Sequence, residues 1–102
     1  MGKVHARFAP IREEHVLQAL AAIDAHGVPP RYKSQNWLLV FKGRSYPPKY
    51  VLSEASGYAP MEKLNPNTFW GGDPTNDVFR ALGFEIVATP SWAAHLADQS
   101  RR

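Results

Sequence analysis

Proline residues determine where helices and strands can begin and end in the middle of this sequence, because proline has a fixed φ and no backbone N–H. The pair Pro29-Pro30 prevents a preceding helix from continuing. Pro47 cannot donate to a β-ladder, so a strand that precedes it must be short. Pro48 suits the first turn of a helix, where a missing N–H costs nothing. The prolines therefore predict a short strand followed directly by a helix.

Apolar residues at helical spacing predict one helix before Pro29 and a second that begins at Pro48. Val16, Leu20 and Ile23 lie on one helical face, and a glycine follows, which predicts a helix over residues 11–26. The same spacing after the prolines predicts a second helix over residues 48–57.

A third helix is predicted over residues 73–82, with Asp73 as its N-cap and Gly83 at its C-terminal end. The preceding residues 59–67 contain two prolines and two asparagines and are typical of a loop. A short C-terminal helix over residues 92–99 is a further option.

Three strands complete the pattern. The apolar run 37–41 and residues 45–46 predict a hairpin that turns at Gly43, and residues 84–88 alternate as a strand does. The order α-β-β-α-α-β predicts a small α+β fold with helices packed on a short sheet.

The length of 102 residues predicts one domain over residues 1–102, with a core over 11–88 and flexible tails at 1–10 and 98–102. With no cysteine, a disulfide framework, a thiol nucleophile and a thiolate zinc site are excluded. The sequence has neither a long apolar run nor a signal-type N-terminus, so we expect a cytoplasmic protein without membrane contact.

The positive charge is concentrated in one segment. Residues 25–53 contain five basic and no acidic side chains, although the whole chain carries a formal charge of only +3. This asymmetry predicts an anionic partner. The alternative is a solvated basic face with no partner. The basic residues of the segment are Arg31, Lys33, Lys42, Arg44 and Lys49.

Lys49 falls in the first turn of the second predicted helix, where the helix dipole disfavours a cation by about 0.3–1 kcal/mol. An anion bound at that helix end would reverse the effect, because exposed N–H groups and the ammonium would both face it. Lys42, Arg44 and Tyr46 precede this turn and are predicted to converge with it on one phosphate-sized site. In the alternative interpretation Tyr46 and Tyr50 are core rings and Lys49 extends into solvent.

Nucleic acid is the polyanion that suits such a site, since phosphate contacts are independent of sequence and aromatic rings can stack on bases. Gln35 and Asn36 carry amides of the kind that pair with adenine. The candidate stacking residues are Tyr32, Trp37 and Trp70, although Trp37 in an apolar strand favours a core position.

Catalytic motifs are absent from the sequence. The four histidines are scattered, the carboxylates are dispersed, and neither a P-loop nor a G-x-S-x-G motif occurs. We therefore expect a binding protein with no catalytic residues, no metal and no cofactor.

A set of short motifs resembles a known family. They are Gly43-x-x-Tyr46-Pro47-Pro48-Lys49, Ala55, Phe69-x-Gly71-Gly72, Thr75-Asn76 and Leu82-Gly83-Phe84-x-Ile86-Val87. In order and spacing they are similar to the N-terminal head domain of McrA-type, modification-dependent HNH restriction endonucleases, over residues 11–87. The resemblance implies a role in DNA recognition or in coupling recognition to cleavage. These 102 residues contain no H-N-H motif, so the endonuclease activity of such relatives is not implied.

Two hypotheses follow. The first is a small DNA-binding module whose partner is duplex DNA, modified or unmodified. The second is a protein-interaction module that docks on a nuclease or defence partner through Trp70 and Trp92. The predicted nucleic-acid-binding residues are Arg31, Lys33, Gln35, Asn36, Lys42, Arg44, Tyr46, Lys49 and Trp70.

Overall fold

The computed structural model describes residues 8–29, 32, 37–65 and 73–88. Within them the predicted α+β fold and its order are confirmed. The elements are α1 (Glu13–His26), β1 (Trp37–Phe41), β2 (Arg44–Tyr46), α2 (Pro48–Ser56), α3 (Asp73–Ala81) and β3 (Glu85–Ala88). The optional C-terminal helix lies outside the described residues.

Helix α1 begins two residues later than predicted because the chain turns before it. The N–H of Ile11 donates to the Phe8 carbonyl at 3.0 Å, and Arg12 is extended as the N-cap residue. The backbone N–H of Arg12 donates to Nδ1 of His15 at 2.9 Å, so a histidine serves this helix start. Ile11 is still buried, and it joins the core from the turn rather than from the helix.

The hairpin turns through Lys42 and Gly43, as predicted. Both residues have positive φ, 49° and 78°, and Phe41 pairs with Arg44 across them. Positive φ at both central residues of a two-residue loop defines a type I′ turn, whose twist matches that of the strands. Strand β2 is three residues long and is followed by Pro47, as the sequence predicts.

Strand β1 is the centre of an antiparallel sheet with the order β2-β1-β3. Leu39 in its middle is fully buried, and α1 and α2 pack on each other in the same hydrophobic core. Phe84 joins the sheet to α3, since its ring centroid lies 5.7 Å from that of Phe41 and 6.4 Å from that of Phe79. The sheet and the three helices thus share one apolar interior.

Gly83 ends α3 as predicted, with φ +90°. The N–H of Phe84 donates to the Phe79 carbonyl and that of Gly83 to the Arg80 carbonyl, at 2.9 and 3.1 Å. This is a Schellman motif, which satisfies the last helical carbonyls and directs the chain into β3.

Two buried serines of α2 fix the loop that follows the helix. Ser53 Oγ donates to the Leu64 carbonyl at 2.5 Å, and the Leu64 N–H donates to Ser56 Oγ at 2.7 Å. Leu64 is therefore held against α2 through both of its backbone polar groups. Nothing in the local sequence pattern predicts this attachment.

Replacing Gly43 by alanine should destabilise the protein by about 1–2 kcal/mol, because a side chain disfavours positive φ by that amount. The effect should be purely conformational, since a Cβ at Gly43 would meet nothing within 4 Å. Urea unfolding would measure it. The matched variant Lys42→Asn should be neutral or slightly stabilising, because Asn-Gly is the preferred pair for this turn. Equal effects of the two variants would contradict the turn assignment.

Candidate nucleic-acid interface

The structure places only part of the predicted interface. Arg31, Lys33, Gln35, Asn36 and Trp70 lie outside the described residues, as does Trp92 of the alternative hypothesis. Lys42, Arg44, Tyr46 and Lys49 are described, together with Tyr32 and Trp37.

Lys42 is exposed at the hairpin tip because the turn directs it away from the sheet. Its ammonium lies 5.4 Å from the centroid of the Phe41 ring, a cation–π distance. The ring therefore holds the charge near the apolar surface of the hairpin.

Arg44 and Tyr46 both contact a residue that the sequence analysis did not select. The hydroxyl of Tyr46 donates to Asp24 Oδ1 at 2.8 Å, and the Arg44 guanidinium lies 3.2 Å from the same oxygen. We call these three residues the Asp24 junction. The junction connects the last turns of α1 to strand β2. Helix α2 begins two residues after the end of this strand.

Asp24 changes the electrostatic interpretation of the basic segment. It precedes the acid-free residues 25–53 by one position, so the sequence count left it out, yet the fold brings its carboxylate to Arg44. The side chains of Arg44 and Asp24 are 67% and 40% exposed, so water screens the pair strongly. The Asp24 carboxylate therefore offsets part of the positive charge of Arg44. The guanidinium is still exposed enough to contact an external anion.

Tyr46 is a core residue with one polar contact. Its side chain is almost completely buried and it pairs with Leu39 across the sheet. Burial, and next the hydrogen bond to Asp24 and its negative charge, raise the pKa of the Tyr46 hydroxyl above its ordinary value, while Arg44 acts in the opposite direction. The hydroxyl therefore stays protonated and donates to Asp24.

Lys49 lies in the first turn of α2, as the sequence predicts, and is partly exposed. The N-cap residue is Pro47, which has no side-chain acceptor, and the first turn contains no acidic residue. Neither the cap residue nor the first turn of α2 therefore supplies the carboxylate or hydroxyl that commonly complements the positive end of a helix dipole.

The structure brings three of the predicted residues to one groove. Lys42, Arg44 and Tyr46, with Asp24 and apolar residues of α1, line a groove of about 420 Å³ between α1 and the hairpin. Lys49 is not one of the residues that line it.

A second concavity of about 340 Å³ lies between α2 and the loop that follows it. Its wall includes Tyr32 and Tyr50, whose rings stack with centroids 5.3 Å apart and planes inclined by 28°. We call this concavity the tyrosine pocket. Tyr32 was selected from the sequence as a stacking residue, whereas Tyr50 was considered there only as a core ring.

Trp37 is half-buried in β1, and the Arg80 guanidinium carbon lies 5.6 Å from the centroid of its ring. Asn76, a position of the family pattern, is fully buried. Its amide nitrogen and oxygen have no hydrogen-bond partner in the part of the chain that the structure describes. No local sequence pattern predicts a buried amide at this position.

The described residues contain no cluster of three or more histidine or carboxylate side chains that could hold a metal ion. Within the same residues no helix has the length and apolar character needed to cross a bilayer.

Comparison with known proteins identifies one family. A protein-family model described as ScoMcrA-like, N-terminal head domain, matches residues 9–88, which is most of the chain. This match confirms the resemblance based on the short motifs. No curated protein and no solved structure matches the chain.

Replacing Asp24 by alanine should lower the free energy of unfolding by about 1–3 kcal/mol, because it removes the charged acceptor of the part-buried hydrogen bond from the Tyr46 hydroxyl. Chemical denaturation would measure the loss. Asp77→Ala is the matched control, since it also removes an Arg–Asp pair, at 3.4 Å to Arg80, but one in which the carboxylate accepts from no tyrosine hydroxyl. The control should cost less than about 0.5 kcal/mol. Similar losses in both variants would contradict the role of Asp24.

The Asp24 junction also predicts a loss of stability in alkali. Because the Tyr46 pKa is raised in the folded protein, its contribution is complete below the ordinary value of 10.0 and declines as the pH rises above it. Urea midpoints measured between about pH 8 and pH 11 should fall less steeply for Tyr46→Phe than for the unmodified protein. Tyr50 also has a raised pKa and remains in both proteins, so only the difference between them reports on Tyr46. Identical slopes would show that the hydroxyl has the same pKa folded and unfolded.

Proposed function

The chain belongs to the family of ScoMcrA-like N-terminal head domains, and we propose that it is a non-catalytic DNA-binding module that contacts the phosphate backbone. Lys42, Arg44 and Lys49 are the described residues to which we assign the contacts. The observation that carries the proposal is the start of α2, where Lys49 occupies a first turn with a proline cap and no acidic residue.

The start of α2 supports an anion because two effects act in the same direction. The N–H groups of a helix N-terminus and its dipole favour negative charge, and Lys49 adds a full positive charge to them. A phosphate oxygen at this helix end would thus be attracted both by the N–H groups and by the Lys49 ammonium. The basic hairpin immediately upstream offers further charge to the same polyanion.

Arg44 can contribute without a large penalty. Its ion pair with Asp24 is highly exposed, and such pairs are worth about 0–1 kcal/mol, so exchanging the carboxylate for a phosphate costs little. Tyr46 then has a positioning role, because its hydroxyl is engaged by Asp24 and its ring is buried. The remaining predicted contacts, Arg31, Lys33, Gln35, Asn36 and Trp70, stay predictions.

Contacts of this type give affinity without sequence preference. Each neutralised phosphate contributes about −0.9 to the slope of log K against log salt concentration on duplex DNA, so three cations imply a slope near −3. We propose no catalytic role, because the sequence holds none of the motifs that catalysis requires. In a larger nuclease such a module would supply backbone affinity while other domains select the target.

Lys49→Gln should weaken binding to duplex DNA uniformly across sequences and reduce the magnitude of the salt slope by about one unit. Fluorescence anisotropy on unmodified and cytosine-methylated duplexes at several salt concentrations measures both quantities. Arg80→Gln removes the same charge from α3, where Arg80 pairs with Asp77, and should leave the slope unchanged. An unchanged slope for Lys49→Gln would contradict the assigned site. No binding to any duplex would favour the protein-interaction alternative.

A further inference from the structure

The tyrosine pocket combines an aromatic wall with a polar rim. Tyr32 and Tyr50 line one part of it, and Glu54, Lys63 and Asn65 contribute polar groups. Its volume of about 340 Å³ is at the lower end of the range for small-ligand pockets, roughly 300–1,000 Å³. A single planar heterocycle therefore suits the space better than a large ligand.

The aromatic wall favours a planar ligand. The rings of Tyr32 and Tyr50 stack on each other with centroids 5.3 Å apart, and both residues line the pocket. An aromatic ring face in a pocket wall can stack on a nucleobase, and stacking of this type tolerates any base.

The polar rim selects among bases. Glu54 Oε1 lies 3.3 Å from the Lys63 ammonium, and the carboxylate is only 22% exposed. Two oxygens give a carboxylate more acceptor sites than one ammonium occupies. A carboxylate accepts from the amino group of cytosine, whereas the corresponding O4 of thymine is itself an acceptor and would be repelled. The Lys63 ammonium could donate to thymine O4, but its side chain is 58% exposed, so Glu54 is the more enclosed of the two charged groups. The enclosed carboxylate therefore favours a base with an exocyclic amine.

The pocket is built on a rigid base. Ser53 and Ser56 hold Leu64 by the hydrogen bonds described above, and Leu64 lines the pocket between Lys63 and Asn65. The loop side is thus fixed to α2, which also carries Tyr50 and Glu54. Little ordering is needed when a ligand enters, which favours binding.

We propose that the tyrosine pocket binds one unstacked DNA base that carries an exocyclic amine (cytosine, adenine or guanine) and rejects thymine. This inference rests on the proposed DNA binding and extends it from the phosphate backbone to a base. The two sites adjoin, since Tyr50 follows Lys49 in the first turn of α2. A nucleotide whose phosphate lies at the helix start could thus place its base in the pocket.

The test compares binding of the full chain to single-stranded oligo-dC, oligo-dA and oligo-dT of equal length. We expect oligo-dC and oligo-dA to bind about five- to tenfold more tightly than oligo-dT. Glu54→Gln should reduce this ratio to within about twofold, because an amide can donate to thymine O4 as well as accept from an amine. Glu62→Gln is the matched control: it removes the same charge from an exposed residue that does not line the pocket, and it should keep the ratio.

The outcomes separate this inference from the proposed function. Lys49→Gln should weaken all three oligonucleotides equally and leave their ratio intact. Equal binding of the three by the unmodified protein, or an unchanged ratio in Glu54→Gln, would overturn the base pocket even if the Lys49 effect persists. If no oligonucleotide binds, the pocket is tested by NMR titration with dCMP and with dTMP. Chemical-shift changes at Tyr50 and Glu54 with dCMP alone would support the pocket. The absence of changes with both nucleotides would overturn it.

A further arm identifies the source of the base. A duplex with one unpaired cytosine is compared with the fully paired duplex. Tighter binding of the former shows that the pocket takes a base extruded from a helix. If the two duplexes bind equally and oligo-dC is still preferred, the pocket takes its base from single-stranded DNA.

Discussion

The carboxylate of Asp24 is the contact on which the geometry of the basic region depends. One oxygen accepts the part-buried hydroxyl of Tyr46 and faces the guanidinium of Arg44, so the C-terminal part of α1 is joined to β2 at a single atom. The chain enters α2 two residues after Tyr46. The position of the hairpin and the direction in which α2 starts are thus both set close to this oxygen. A hydrogen bond from a hydroxyl to a carboxylate is charge-assisted, so the junction is favoured whatever the hairpin binds.

The order of elements could be predicted because its signals are local. Proline and glycine mark the ends of α1, β2 and α3, and a type I′ turn needs only the two residues Lys42 and Gly43. Such signals act within a few residues and do not depend on the rest of the fold. The predicted start of α1 was two residues too early, because the local signal there is unusual. A histidine side chain completes the cap, whereas the common N-cap residues are serine, threonine and aspartate.

The functional surface could be predicted only in part, since it depends on contacts between distant residues. Charge counted along residues 25–53 shows no acid, but the fold places Asp24 against Arg44, twenty positions away. In the same way, the pairing of Tyr32 with Tyr50 and the attachment of Leu64 to Ser53 and Ser56 create a pocket that periodicity does not reveal. Lys49 could be identified from the sequence because a cation in a first helical turn opposes the helix dipole. Such a conflict involves only neighbouring residues and is therefore visible in a sequence.

The order β2-β1-β3 leaves the described sheet with two outer strands, and these differ in how they can meet other chains. Strand β2 has three residues, begins at a charged arginine and runs into a proline, so its free side offers little to pair with. Strand β3 has four residues, of which the exposed Glu85 is the one that carries a charge. Any strand that extended the sheet would therefore meet fewer obstacles beside β3. Of the two outer strands that the structure describes, β3 is thus the one with fewer features that oppose pairing, and it lies on the side of β1 opposite to β2 of the basic hairpin.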